Sequence, residues 1–587
     1  MAKSVKDPAT IVALRGLALV EPAATPTRAR STKGPMRAPA RGKAPPDVGA
    51  AIAASLEGQE LELAMEKTLA RKPEAPAVPK RQRQARGAAL APAAVERPGF
   101  SLDVPLADGE DAVVLLEEDG VFSWHLLGEE VTPPEVHRDL VRQRAVTGRK
   151  LASASPRRRV KRFTVNVGTT VPVARTPAAK GPVRQRGLVS FITDTVVGKV
   201  VARVFRFVAR KVVGSVIEHM ERDIHPGLIW MGDVDCTKWR LMDPSEQLEL
   251  PSDRPARVLL WVHGTFSSTM GSFGGLSQTT EGKKFLKAAL ARYDAVIGFD
   301  HPTMSVTPMQ NASAMLSRLS AQSWAKPPVF DAVSFSRGGA VFRSLVEFAL
   351  PASTFQCSIE RAVFVACTNE GTELARRKNW DRFIDRYTNL AAGACTAIGM
   401  LSGGNVATKI LGEAIKGIGA FVKALAMAAL DEGGMPGIEA MDPSGTFVHQ
   451  LNDAQPGQPD PSNSYYCVIT SNFDPDTAVK DATTPEVPTS FWMKLADKPV
   501  DELMGKENDL VVDVPSMSAI DPSLGDFIKK RYDYGTNGTV YHTVYFLQPQ
   551  TATELTNWLE VSAPAPMAAL RPRKSRAVKT RARRSKA

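Results

Sequence analysis

The chain has 587 residues, of which 43% are hydrophobic and 23% are charged, as in globular proteins with more than one domain. Its five cysteines are scattered and form no C-x-x-C pair, which argues against a disulfide framework and a zinc site and favours a reducing compartment. No apolar stretch approaches the roughly 18 residues of a transmembrane helix, and no signal peptide is indicated. We therefore expect a cytoplasmic protein, with peripheral membrane association as an alternative.

Both ends of the chain differ in composition from its middle. Residues 1–98 are rich in Ala, Pro, Lys and Arg, a composition that buries too little apolar surface to offset the loss of chain entropy. A short helix near Val48 is compatible with this segment. The net charge is +12, and the tail after Leu570 contains nine Lys or Arg residues and no acid. We predict disorder for 1–98 and for a basic tail at 563–587, which could bind an anionic surface such as nucleic acid or a membrane.

Residues 99–175 are predicted to form a small β-rich module. Segments 112–116 and 121–127 are apolar and flank an Asp-Gly pair, which is typical of a β-hairpin, and residues 162–167 predict a further strand. Residues 187–250 are predicted to form an amphipathic helix, at 188–221, followed by a linker. That helix would pack on the next domain or, as the alternative, lie on a membrane surface through its basic face.

Residues 251–562 alternate between apolar strands and helical segments. The predicted strands are 258–262, 294–299, 329–335, 361–366, 465–471 and 540–546. Near-continuous apolar strands separated by helices indicate a parallel sheet covered on both faces. We therefore predict an α/β fold, a doubly wound and mostly parallel sheet, with an apolar helical cap inserted at about 375–451.

Ser336 follows the third predicted strand and precedes a helix. A strand, a sharp corner and a helix are the setting of a nucleophile elbow, in which a serine is exposed above a parallel sheet. The usual pattern is G-x-S-x-G, and here Ser334 stands in the position of the first glycine while Gly338 occupies the second. The short pattern predicts a nucleophile only if the rest of the chain supplies its partners.

The loop after the first strand reads His263-Gly-Thr-Phe. A glycine-containing loop there can direct a backbone N–H toward the nucleophile and form half of an oxyanion hole, the other half being the N–H of Arg337. His263 itself is interpreted as a residue that packs the loop.

A serine nucleophile needs a histidine base, and the base needs a carboxylate. Only His449 and His542 follow Ser336 in the chain, and His542 is favoured because His449 lies within an apparent helix. Asp509 is the preferred acid, 33 residues before His542. The alternatives for the acid are Asp474, Asp476 and Asp513.

Five ordered motifs in residues 255–562 resemble those of bacterial triacylglycerol lipases of the α/β-hydrolase superfamily and are similar to inositol-deacylase-like hydrolases. The motifs are His263-Gly-Thr, Ser334-Phe-Ser-Arg-Gly-Gly, Thr368-Asn-Glu-Gly-Thr-Glu-Leu-Ala, Asn508-Asp-Leu-Val-Val and Tyr541-His-Thr. The chain departs from the lipase pattern at Ser334 and at Leu510, since both replace a glycine.

This resemblance implies that Ser336 is the nucleophile, Asp509 the acid and His542 the base. It also implies that Thr265, or Phe266 beside it, donates a backbone N–H to the oxyanion together with Arg337, and that the insertion is a lid.

The expected function is that of a serine hydrolase, lipase- or esterase-like, which cleaves a carboxylic ester through an acyl-enzyme. We expect an ester or lipid substrate, no cofactor and no metal ion. The alternative is a hydrolase-fold protein without catalysis, whose basic ends anchor it to nucleic acid or to an anionic membrane.

Overall fold

The computed structural model describes residues 10–13, 17–19, 47–57, 61–71, 99–118, 120–131, 159–166, 199–209, 221, 224, 226–402, 404–426, 435–453, 465–474, 507–526 and 528–562. The chain divides into two compact units: the smaller contains 1–44, 56–211 and 425–428, and the larger contains 45–55, 212–424 and 429–587. The predicted basic tail and much of the predicted disordered segment lie outside the described residues.

The described strands of the smaller unit form two antiparallel sheets. One sheet has the order β1-β4-β8-β7 and the other the order β2-β3-β9-β5-β6. The strands are β1 (Thr10–Ala13), β2 (Leu17–Leu19), β3 (Glu62–Arg71), β4 (Gly99–Leu106), β5 (Glu110–Glu118), β6 (Val121–His125), β7 (Glu129–Val131), β8 (Arg159–Asn166) and β9 (Lys199–Val208).

The two sheets of the smaller unit share one apolar core. Alternate residues of β4, among them Phe100, Leu102 and Val104, are fully buried, and they join residues of β5, β8 and β9 in a single cluster. This alternation is what two sheets packed face to face require. The predicted hairpin is confirmed as the β5–β6 pair, with Gly120 at φ 82° in its turn.

The predicted helix at 188–221 is wrong where the structure describes it, because Lys199–Val208 is strand β9, paired with both β3 and β5. The run is rich in Val and Phe, which favour strands. Its basic residues suggested an amphipathic helix, but Arg203 is buried and forms ion pairs with Glu66 and Glu117 at 2.7 and 2.6 Å. The two neighbouring strands, rather than water, compensate that charge.

Regular elements also occur within the segment predicted to be disordered. Helix α1 spans Val48–Glu57, at the site of the predicted short helix, and β3 pairs with β9. On β3, Leu63 and Met65 are partly buried while Glu62 and Glu66 are exposed. Composition averaged over 98 residues conceals a strand whose partner lies much later in the chain.

The larger unit contains an eight-stranded sheet with the order β11-β10-β13-β12-β14-β15-β16-β17. Every neighbouring pair from β13 to β17 is parallel, whereas β10 is antiparallel to both β11 and β13. This confirms the mostly parallel sheet. The strands are β10 (Gly227–Trp230), β11 (Arg240–Leu241), β12 (Arg257–Val262), β13 (Ala295–Asp300), β14 (Val329–Phe335), β15 (Ser358–Val365), β16 (Tyr465–Phe473) and β17 (Lys530–Asn537).

Helices cover both faces of this sheet. On one face Met315 and Phe342 pack into the main apolar cluster with the strands. On the other face Trp261 meets Phe273 and Phe546 at ring-centroid distances of 4.7 and 6.2 Å. Besides α1, the helices outside the insertion are α2 (Thr269–Phe273), α3 (Thr280–Arg292), α4 (Pro308–Ser320), α5 (Gly338–Arg343), α10 (Val514–Ser518) and α11 (Pro549–Trp558). Helices α6 to α9 belong to the insertion.

The insertion between β15 and β16 is helical, as predicted. It contains α6 (Trp380–Ser402), α7 (Gly404–Ala426), α8 (Pro436–Glu439) and α9 (Thr446–Asn452). Within the part of the chain that the structure describes, no helix combines the length and apolarity needed to cross a bilayer.

The last strand lies earlier in the chain than the sequence predicts. Residues 540–546 contain turns and a short 3-10 helix, and the final strand is Lys530–Asn537. That strand is polar because it forms the edge of the sheet. The run 540–546 is apolar because Val540, Tyr541 and Phe546 are buried in a loop, so burial without strand pairing produced the misleading pattern.

A buried ion cluster anchors the helix that follows Ser336. Arg343 is fully buried and donates hydrogen bonds to Glu347 at 2.8 Å, to Asp521 at 2.8 Å and to the side chain of Asn452 at 2.8 Å. These contacts tie α5 to α9 and to the segment before β17. A buried charge is tolerated only when its partners are in place.

Replacing Arg343 with methionine should lower the free energy of unfolding by about 3–5 kcal/mol, since two buried carboxylates lose their counter-charge. Urea unfolding followed by circular dichroism measures the change. Arg531→Met is the matched control, because Arg531 pairs with Asp526 on the surface and should cost at most about 1 kcal/mol. Equal effects of the two substitutions would show that the buried cluster contributes no more to the free energy of unfolding than a surface ion pair does.

Candidate active site

Ser336 lies on a sharp turn between β14 and α5. Its φ is 55°, in the left-handed region that a non-glycine residue occupies at a cost of about 1–3 kcal/mol. Two glycines make room for the turn. A Cβ on Gly338 would lie 2.2 Å from the carbonyl oxygen of Val262, and one on Gly339 would lie 2.6 Å from the Cβ of Cys367.

Ser334 does not prevent this turn. Its side chain is buried behind the corner, with the hydroxyl 3.6 Å from the Cys367 sulfur. The strained φ falls on Ser336 alone, so the position that is usually glycine accommodates a small polar side chain.

The side chains of Ser336, His542 and Asp509 form a continuous chain of hydrogen bonds. His542 Nε2 lies 2.9 Å from Ser336 Oγ, and His542 Nδ1 lies 2.8 Å from Asp509 Oδ2. All three residues are almost completely buried. When Nδ1 carries the proton and donates it to the carboxylate, Nε2 is free to accept the hydrogen bond from the serine hydroxyl.

Asp509 accepts hydrogen bonds on both of its carboxylate oxygens. The backbone N–H groups of Val511 and Val512 donate to Oδ1 at 3.1 and 2.9 Å, and the Tyr545 hydroxyl donates to Oδ2 at 3.3 Å. Burial and the nearby carboxylate raise the pKa of Tyr545, so its phenol stays protonated and acts as a donor. Leu510, which replaces a glycine of the lipase pattern, has φ 80° and therefore adopts a glycine-like conformation.

The alternative base and two of the three alternative acids occupy other positions in the structure, and the third acid is not among the described residues. His449 is exposed on α9, and Asp513 precedes α10 as its N-cap residue. Asp474 is at the end of β16, where its backbone N–H donates to Asn537. Asp476 falls outside the described residues.

His263 is a packing residue at the start of the loop 263–266. It is fully buried, its ring stacks on His301 at a centroid distance of 4.1 Å, and its Nε2 accepts a hydrogen bond from the His301 N–H at 3.2 Å. Burial lowers the pKa of both imidazoles, so each is neutral at physiological pH. Its position agrees with the packing role expected from the sequence.

The loop 263–266 passes directly beside Ser336. A Cβ on Gly264 would lie 2.7 Å from Ser336 Cβ, so only glycine allows this approach. The N–H of Phe266 donates to the Thr303 hydroxyl at 3.3 Å and is thereby engaged, which leaves Thr265 as the better candidate for an oxyanion donor. The Arg337 guanidinium points away from Ser336 and donates to the carbonyl of Gly437 at 3.0 Å; burial lowers the pKa of Arg337 to about 10.

Glu221 holds the segment that contacts the loop 263–266, an arrangement that the sequence did not reveal. Its buried carboxylate accepts hydrogen bonds from the backbone N–H groups of Thr303, Met304 and Ser305 at 2.8, 3.0 and 2.7 Å. These bonds fix the segment whose Thr303 hydroxyl holds Phe266. No local pattern marks an isolated glutamate as the partner of a distant loop.

A mostly apolar cavity of about 60 Å³ opens beside Ser336. Tyr387, Ala391, Ala394 and Ile398 line it from α6 at helical spacing, facing residues of α7 that include Ile410 and Leu411. The cap therefore contributes one wall of the site. Within the described residues, no group of three or more His, Cys, Asp or Glu side chains is placed to hold a metal ion.

A family model described as "Domain of unknown function (DUF7379)" matches residues 226–560, which is more than half of the chain. The chain belongs to the DUF7379 family. The match runs from just before β10 to the residues after α11 and so includes the entire eight-stranded sheet of this DUF7379 protein. A second model, described as "Domain of unknown function (DUF7362)", matches residues 24–207, from before β3 into β9. No curated protein matches the chain significantly.

Several solved structures are similar to part of the DUF7379 chain. The mature lipase BlEst2 from Bacillus licheniformis is 15% identical, with 53% of this chain and 95% of that one covered and a TM-score of 0.30. Lipase 1 from Pelosinus fermentans is 13% identical, with 54% and 100% covered and a TM-score of 0.34. Phospholipase PlaB from Legionella pneumophila is 14% identical, with 44% and 45% covered and a TM-score of 0.26.

The α/β-hydrolase fold of the larger unit is evident in its own topology. A parallel sheet, a strained strand–turn–helix at a serine, and the chain order serine, aspartate, histidine are features of that superfamily. The similarity to inositol-deacylase-like hydrolases stays a prediction.

Adding one methyl group at Gly264 should destabilise the DUF7379 domain by about 1–3 kcal/mol, because the new Cβ overlaps the Ser336 side chain. Gly412→Ala is the matched control. A Cβ there would approach only Ser55 Oγ, at 3.7 Å, and alanine should stabilise α7 by about 0.5–1 kcal/mol. Urea unfolding midpoints of the two variants test the prediction, and a neutral Gly264→Ala would contradict the close approach.

Proposed function

We propose that this protein is a serine hydrolase that cleaves carboxylic esters of apolar acyl groups through an acyl-enzyme on Ser336. The observation that carries the proposal is the hydrogen-bonded chain from Ser336 through His542 to Asp509, at 2.9 and 2.8 Å, beside an apolar cavity. A serine hydroxyl becomes a nucleophile when a base accepts its proton and a carboxylate fixes the tautomer of that base.

In the proposed acylation, Ser336 Oγ attacks the ester carbonyl carbon while His542 Nε2 takes the hydroxyl proton. The carbonyl oxygen becomes an oxyanion that receives hydrogen bonds from the backbone N–H groups of Thr265 and Arg337. The imidazolium, stabilised by Asp509, then donates its proton to the departing alkoxide. The products of this half-reaction are an alcohol and the acyl-enzyme.

Deacylation repeats these steps with water as the nucleophile. His542 Nε2 takes a proton from the water, whose oxygen bonds to the acyl carbon. Collapse of the second tetrahedral intermediate returns the proton to Ser336 Oγ and releases the carboxylic acid. The roles of base and acid alternate on one nitrogen, which is why its distance to Ser336 matters.

The preference for an apolar acyl group follows from the wall of the cavity. Ala391, Ala394 and Ile398 face Ile410 and Leu411 across it, and these side chains offer no hydrogen bond to a polar acyl group. Apolar burial contributes about 0.8 kcal/mol for each methylene group. A lipid or another ester with an aliphatic acyl chain suits this lining.

Ser336→Ala should remove covalent labelling by a fluorophosphonate probe and reduce hydrolysis of p-nitrophenyl butyrate by about 10⁴-fold or more. Ser344→Ala is the matched control, since Ser344 is a buried serine near the end of α5 whose hydroxyl has no hydrogen-bond partner in the described structure. It should label and turn over like the wild type. A wild-type protein that neither labels nor hydrolyses a broad panel of esters would favour the non-catalytic alternative.

Ala394→Phe should shorten the acyl chains that the enzyme accepts. Ala394 lies two turns of α6 from Tyr387, about 10 Å along the helix axis, so a phenyl ring there blocks the far part of the cavity. We expect kcat/KM for p-nitrophenyl octanoate to fall by about tenfold or more relative to the acetate. Ala291→Phe, at an exposed position of α3, should leave this ratio unchanged; an unchanged ratio in Ala394→Phe would place the acyl chain elsewhere.

A further inference from the structure

Tyr387 is a cap residue that reaches the nucleophile. It lies on α6, is 6% exposed and lines the cavity beside Ser336. Its ring meets the His542 ring edge-on at 6.1 Å and the Phe266 ring edge-on at 5.1 Å. The tyrosine therefore sits between the base and the oxyanion loop.

The phenol group of Tyr387 is directed at the reacting end of the site. It lies close to the side chains of Ser336 and Thr265, which line the same cavity, and burial raises the pKa of Tyr387. A phenol that stays protonated is a hydrogen-bond donor throughout the physiological pH range. Ser336 and Thr265 belong to the region where the oxyanion would form.

The ring itself is fixed by packing and does not depend on the hydroxyl. Phe383 meets the ring of Tyr387 at 4.8 Å, and the ring of Phe266 lies against both Phe383 and Phe421. Such contacts hold the phenol in one orientation before substrate binds. A donor held in place beforehand stabilises developing charge more effectively than a mobile one.

We propose that Tyr387 is a third oxyanion donor, supplied by the cap, in addition to the backbone N–H groups of Thr265 and Arg337. This inference rests on the proposed ester hydrolysis. As the bond between Ser336 Oγ and the carbonyl carbon forms, the π electrons move to oxygen and the Ser336 proton moves to His542. The Tyr387 O–H donates a hydrogen bond to that oxygen and keeps its own proton, so it takes part in no proton transfer.

The position of Tyr387 also assigns a catalytic role to the insertion. The two backbone donors belong to the sheet domain, whereas this donor belongs to α6. Oxyanion stabilisation is then complete only when α6 lies over Ser336, as it does in this structure.

Tyr387→Phe tests the proposal, because it keeps the ring and removes only the hydroxyl. We expect kcat for p-nitrophenyl butyrate to fall by about 10²-fold with little change in KM, as for the loss of one oxyanion donor. Binding of an aliphatic trifluoromethyl ketone, which forms a tetrahedral adduct with the serine, should weaken by the same factor as kcat/KM. The thermal midpoint should stay within a few degrees of that of the wild type.

Tyr534→Phe is the matched control. It removes a part-buried phenol that is hydrogen-bonded to Thr551 at 2.8 Å, away from the cavity, and should change neither kcat nor ketone binding. An active wild type with an unimpaired Tyr387→Phe variant, or one in which only KM rises, would overturn this inference and leave the proposed function intact. A wild type without turnover and without labelling would overturn both.

Discussion

The left-handed backbone at Ser336 is the constraint on which the rest of the site depends. Among the described residues, six non-glycine residues have positive φ, and Phe266, Ser336 and Leu510 belong to the candidate site. Each such conformation costs about 1–3 kcal/mol and persists only where the surroundings enforce it. At Ser336 the surroundings are the carbonyl of Val262 against Gly338 and the loop at Gly264. The strained turn places the hydroxyl above the ends of the parallel strands, within hydrogen-bonding distance of His542.

The same close approaches connect the cap to the sheet domain. A Cβ on Gly417 of α7 would lie 2.8 Å from Phe266 Cα, so α7 rests directly on the loop 263–266. The Phe266 side chain in turn packs against Phe383 and Phe421 of the cap. Movement of the cap helices would therefore disturb the backbone that carries Thr265. In this arrangement the helical cap and the loop 263–266 form one packing unit.

The sequence predicted the features that depend on local patterns. The apolar strands β12 to β16 and the small residues around Ser336 are visible in short windows. The order of the motifs also singled out Ser336, Asp509 and His542, which follow β14, β16 and β17 in the structure, and their side chains lie within hydrogen-bonding distance. Parallel strands end at one edge of a sheet, so chain order alone brings such residues near each other.

The features that the sequence did not predict depend on distant partners. The basic residues of β9 suggested a helix. They are compatible with a buried strand because Arg203 is neutralised by Glu66 and Glu117 from other strands. Strand β17 was missed because an edge strand needs few apolar residues. Glu221 and Tyr387 carry no local signal, since each acquires its contacts only when the chain brings it beside the loop 302–306 or beside Ser336.

The two departures from the lipase pattern show how the fold replaces glycine. At Leu510, φ 80° is a glycine-like value, and the Asn508 side chain accepts a hydrogen bond from the Leu510 N–H at 2.8 Å. This bond and the burial of the leucine side chain oppose the backbone strain. At Ser334 no such compensation is required, because the strand is regular there and the hydroxyl occupies space beside Cys367. A glycine in a family pattern can therefore mark a required φ or only a lack of space, and in this chain the first case is met at Leu510 and the second at Ser334.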